Sequence, residues 1–93
     1  MAADALERRV KIVNTKGLHA RASARFVQCT AKFDASVTVV KDGQSVSGTS
    51  IMGLMMLGAG PGSEILIRAS GDQAQEALDA LERLIVTKFG EDT

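Results

Sequence analysis

Arg9 to Asn14 alternates in polarity, with Val10 and Ile12 on one side and Val13 on the other. A period of two marks a strand covered on one face. Gly17 signals a turn, and from His19 to Lys32 nothing interrupts a helix. At about 100° per residue, Ser23, Phe26, Val27, Thr30 and Phe33 share one helical face while Ala24 and Gln28 lie opposite. Ser36 to Lys41 and Gln44 to Ser47 flank Asp42-Gly43, a dipeptide that tolerates positive φ and predicts a two-residue hairpin. Thr49-Ser50 offers two capping hydroxyls before the apolar run Ile51 to Leu57, a short helix ended by the glycines and single proline of Gly58 to Gly62. Glu64 to Ala69 holds Ile65, Leu66 and Ile67 and reads as a last strand. Asp72 with Gln75 three residues on forms a candidate capping box for a final helix. Its apolar positions Ala74, Ala77, Leu78, Leu81, Leu84, Ile85 and Phe89 keep the helical period, and Gly90 supplies the stop.

The order is therefore βαββαβα, with no internal repeat and no linker long enough to separate two units. Helices with one apolar face bury it most simply against one side of a sheet. The expected fold is α+β: an open-faced two-layer β-sandwich whose four-stranded antiparallel sheet carries three helices on one face. It forms a single domain over 1–93, with 1–8 as a flexible N-terminal extension.

Composition narrows the functions this fold could serve. Eleven basic residues balance eleven acidic ones, so no net field draws nucleic acid or an anionic membrane. With 45% hydrophobic residues but no Trp or Tyr, aliphatic side chains and Met must fill the core. The uncharged stretch from Gly43 to Ser63 is broken by glycines and polar residues and cannot span a bilayer. The one cysteine, Cys29, has no intramolecular disulfide partner, and the stretch Met1 to Val10 lacks the uninterrupted apolar core of a signal peptide, so the expected location is the cytoplasm. Cys29 sits near the apolar side of the first helix without a neighbouring ligand and is expected to be a structural thiol. No metal site, nucleotide loop or other cofactor motif is present.

The only histidine, His19, stands at a helix start, where free backbone N–H groups and the positive dipole end favour an anion. Near pH 7 an ordinary imidazole is largely neutral and nucleophilic, so attack on a phosphoryl donor needs no separate base. Arg21 can bring a guanidinium to the same oxygens. On pattern alone, an isolated histidine is more often a plain surface or cap residue.

Asn14-Thr15-Lys16-Gly17-Leu18-His19-Ala20-Arg21-Ala22 changes that balance, because it resembles the active-site signature of the histidine-containing phosphocarrier protein (HPr) family. Ser50-Ile51-Met52-Gly53-Leu54-Met55-Met56-Leu57 is similar to the family's regulatory-serine segment. The resemblance runs from Arg9 to Phe89. It implies that His19 accepts a phosphoryl group from enzyme I, charged by phosphoenolpyruvate, and passes it to an enzyme IIA domain. Arg21 would stabilise the phosphoryl group, and Ser50 would be the target of a serine kinase/phosphorylase. Such a protein is a carrier, not an enzyme in its own right, and is expected to act as a monomer. Ala22 departs from the family pattern, in which proline usually follows the arginine; a less rigid helix start follows, with the site intact.

Ile51, Met52, Leu54, Met55, Met56 and Leu57 are more apolar than one buried face of a two-turn helix requires. Some must face water. Flexible Met side chains suit adaptable docking. Ile51, Met52 and Met55, with the small residues Ala20 and Ala24, are therefore the candidate partner surface around His19. Two other readings compete. A purely regulatory relative would use Ser50 alone, against which the intact Gly17 to Arg21 motif counts. An RNA-binding sheet would need aromatic residues on its strands, and these strands have none.

Overall fold

The computed structural model describes residues 5–91. Four strands, β1 (Leu6–Lys11), β2 (Ser36–Lys41), β3 (Gln44–Ser47) and β4 (Glu64–Ser70), alternate with three helices, α1 (Ala20–Thr30), α2 (Ile51–Met56) and α3 (Ala74–Val86). The sheet order is β1-β4-β2-β3 with every neighbouring pair antiparallel. This is the open-faced α+β sandwich that the pattern predicts.

Alternation along the strands sorts the two faces. Val10, Val37, Val39, Ile65, Ile67 and Ala69 are buried beneath the helices, with Phe26, Leu54, Leu78, Leu81 and Ile85 packed onto them. On the open face, Arg68 Nε lies 2.8 Å from Glu7 Oε2 across the β1–β4 register. Such an exposed pair contributes little to stability. The β2–β3 turn has Asp42 at φ 50° and Gly43 at φ 80°, the two left-handed residues that a tight hairpin of this twist requires.

Three local expectations fail, each because a tertiary contact overrides a local signal. The first strand opens at Leu6, not Arg9, because Leu6 to Arg8 pair with Ala69 to Ile67 of β4. Of the expected 1–8 extension, residues 6–8 are thus sheet, while residues 1–4 lie outside the described residues. Arg8 also points to the helices, donating to Asp79 Oδ1 at 2.7 Å and Glu82 Oε1 at 2.9 Å.

Asp72 does not cap α3. The cap position is Gln73, whose Oε1 accepts from the Asp34 backbone N–H at 2.7 Å while its own N–H donates to Asp34 O at 2.9 Å. Docking of this loop on the α1–β2 connection takes precedence over a capping box.

The last helix stops at Val86 rather than running through Phe89. Lys88 at φ 60°, Phe89 at φ 56° and Gly90 at φ 77° make a left-handed run that drives the Phe89 ring into the core. Left-handed backbone is costly for bulky residues. Full burial of the aromatic ring offsets that cost.

Candidate functional site

The segment before α1 is held in one shape by its smallest residue. Gly17, at φ 63°, lies against the α2–β4 loop so closely that a Cβ would stand 2.2 Å from Ala59 O. The next N–H, of Leu18, donates to that same Ala59 O at 2.9 Å. With Leu18 buried beneath the turn, His19 is delivered to the cap position of α1 in an extended conformation, φ −75° and ψ −178°. Its carbonyl accepts the first helical bond, from Ser23 N at 2.8 Å. Its side chain makes no capping bond, so the ring is left for other use.

That ring meets a carboxylate which local sequence does not reveal. His19 Nε2 lies 2.5 Å from Glu91 Oε2, with the two side chains 25% and 16% exposed. Asn14, fully buried, braces the arrangement: its Nδ2 donates to Gly17 O at 2.9 Å and to Glu91 Oε1 at 3.0 Å. Burial pushes the Glu91 carboxyl up, but hydrogen bonds from His19 and Asn14, aided by the charge of Lys16, outweigh it and hold the group below the usual carboxylate range. An ionised carboxylate only accepts. Nε2 must therefore carry the ring proton, and in the neutral ring the lone pair falls to Nδ1.

Arg21 lies exposed on the first turn of α1 and has no ion-pair partner among the described residues. Ala22 is fully buried in the core, so α1 is anchored at its first turn by apolar packing. Ser50 caps α2, its Oγ accepting from Gly53 N at 2.9 Å. Only Leu54 of α2 is buried, leaving Met52 and Met56 70% and 71% exposed with Ile51 and Met55 beside them. Ala20 is exposed and Ala24 half-buried. A shallow depression lined by Lys16, Leu18, His19, Met55 and Gly58 joins the histidine to this methionine surface.

Cys29 is half-buried, and burial pushes its thiol up, away from the reactive thiolate. Among the described residues no cluster of His, Cys, Asp or Glu could hold a metal ion, and no helix is long and apolar enough to cross a membrane. Asn14 belongs to the loop that sequence reasoning singles out, but its brace on Glu91 does not. Glu91 follows the last helix beside Asp92 in no recognisable motif, and its partners are far away in the chain.

A family model described as "PTS HPr component phosphorylation site" matches residues 6–87. A phosphocarrier protein HPr from Cupriavidus necator is 46% identical over 86 residues, which cover 92% of this chain and 97% of the relative. A phosphocarrier protein NPr from Shewanella violacea is 42% identical over 86 residues, covering 92% and 94%. The crystal structure of HPr-C-His from Thermoanaerobacter tengcongensis superposes with a TM-score of 0.90 at 44% identity, covering 95% of this chain and 99% of that one. Fold, motif and relatives agree along almost the whole sequence, and the chain belongs to the HPr family of phosphocarrier proteins of the phosphotransferase system.

Proposed function

We propose that His19 Nδ1 takes a phosphoryl group from phosphorylated enzyme I, with phosphoenolpyruvate as ultimate donor, and hands it to an enzyme IIA domain. The observation that carries this reading is the engagement of Nε2 by Glu91, which leaves Nδ1 as the nucleophilic nitrogen of the only histidine. In the forward step the Nδ1 lone pair bonds to phosphorus as the donor's N–P bond breaks and its electron pair returns to the donor ring. The proton on Nε2 stays in place.

The unpaired N–H groups of the first turn of α1 and the positive end of its dipole favour the incoming dianion. Arg21 supplies a guanidinium fork for two phosphoryl oxygens. The exposed Ile51, Met52 and Met55, together with Ala20 and Ala24, form the apolar docking surface, to which flexible thioether side chains let more than one partner fit. Ser50 is a regulatory phosphorylation site at the edge of that surface. The protein acts as a cytoplasmic monomer and needs no cofactor or metal of its own.

Incubation with enzyme I and phosphoenolpyruvate, read by intact mass, should add one acid-labile phosphate to the wild type and none to His19→Ala. An unmodified wild type, with enzyme I active on another carrier, would remove the reading. Which enzyme IIA domain drains the phosphate faster decides between a sugar-uptake and a nitrogen-related chain.

A further inference from the structure

Resting on the carrier reading above, we propose that Glu91 is a positioning residue of the transfer: its carboxylate holds His19 by Nε2–H and stabilises the ring when Nδ1 bears phosphate, prolonging the charged state. Two independent features converge on it. One is the contact itself, 2.5 Å from Glu91 Oε2 to His19 Nε2, with Asn14 Nδ2 fixing the other carboxylate oxygen at 3.0 Å. The second is the backbone that brings Glu91 there. Three successive left-handed residues, Lys88, Phe89 and Gly90, turn the chain from the end of α3 back toward the start of α1. Arg25 of α1 clasps the turn by donating to Phe89 O. Strain of this kind persists where surrounding structure over-determines it, and it clusters at functional sites. Glu91 also lies beyond residues 6–87 of the family match.

The chemistry makes the contact unequal in the two states. In the neutral ring, Nε2–H is an ordinary donor. When Nδ1 forms its bond to phosphorus, both nitrogens are substituted and the ring takes on imidazolium character, so the same N–H becomes a cationic donor. The carboxylate already charge-assists the bond in the free form, and positive character on the ring adds a direct Coulomb attraction at the same short distance. Glu91 thus stabilises the phosphorylated form over the free form, lowers its transfer potential and slows loss of the phosphate to water.

The test uses full-length wild type, Glu91→Gln and Glu91→Ala, each charged by enzyme I and phosphoenolpyruvate, then freed of enzyme I. The Glu91→Gln variant keeps the shape of the side chain and one neutral acceptor oxygen, enough for the His19 ring or for Asn14 Nδ2 but not for both, so it removes the charge while filling the same space. Both variants should lose phosphate to water faster and shift the phosphoryl equilibrium toward enzyme I by about threefold to tenfold, with Glu91→Gln close to Glu91→Ala. Nitrogen-15 spectra of uncharged wild type should show the proton on Nε2, and Glu91→Ala should mix the tautomers. Wild-type lifetime and equilibrium in Glu91→Gln and Glu91→Ala would overturn the proposal and leave the carrier reading intact. A wild type that accepts no phosphate would overturn the carrier reading and the proposal together.

Discussion

Gly17 illustrates how a single missing Cβ fixes the geometry of a reactive group. Its φ of 63° and the 2.2 Å approach of a would-be Cβ to Ala59 O leave no alternative residue without moving backbone. Gly17→Ala is expected to cost about 2 kcal/mol or more, as a lower melting temperature, because strain and overlap act together. The His19 ring would move with the loop, so phosphoryl uptake should slow in the fraction that remains folded. A turn is legible at Gly17 from its residue type alone. The loop it presses against is not, since Ala59 lies across the fold and carries no signal in sequence. Glu91 is hidden for the same reason: one acid after a helix looks like any other until the turn at Phe89 is known.

At the scale of elements, legibility follows how local the determinants are. β2 and β3 begin and end where Asp42-Gly43 and their alternation put them, since the hairpin depends on adjacent residues. β1 starts early because pairing with β4 extends it, and α3 starts without the Asp72 cap because Gln73 is committed to Asp34. α2 shows both kinds of signal at once, its Ser50 cap being readable and its shortage of buried residues inferable only from an excess of apolar ones. Ser50→Ala should lower stability by about 1 kcal/mol through the lost bond to Gly53 N, whereas Ser50→Asp keeps a good cap. Transfer kinetics should divide them the other way. An anion beside Met52 and Met55 must be desolvated by any partner covering that surface, so Ser50→Asp is expected to raise the apparent KM for enzyme I while Ser50→Ala transfers normally. Normal kinetics in Ser50→Asp would reduce Ser50 to a cap.

For the whole molecule, two carboxylates link elements distant in the chain and make stability depend on acid. The Arg8 guanidinium holds the Asp79 carboxyl below its usual range, and Glu91 is depressed by its bonds to His19 and Asn14 in spite of burial. A carboxyl with a lower pKa folded than unfolded adds stability above the unfolded value of about 4, and loses it as pH falls through the folded one. The melting temperature should therefore hold between pH 7 and pH 5 and decline below about pH 4. Glu91→Gln should make that decline shallower, and an unchanged slope would remove Glu91 from the acid response. The order β1-β4-β2-β3 reaches beyond the finished fold to its synthesis. β4 is the last strand made, yet it lies between β1 and β2, so neither can complete its pairing with β4 until Glu64 to Ser70 have emerged. Until then only the β2–β3 hairpin has its partner, and an isolated hairpin is marginal in water. Val10, Ile12, Phe26 and Leu54 wait uncovered through that interval, which makes emergence from the ribosome the stage at which this chain is most exposed to aggregation.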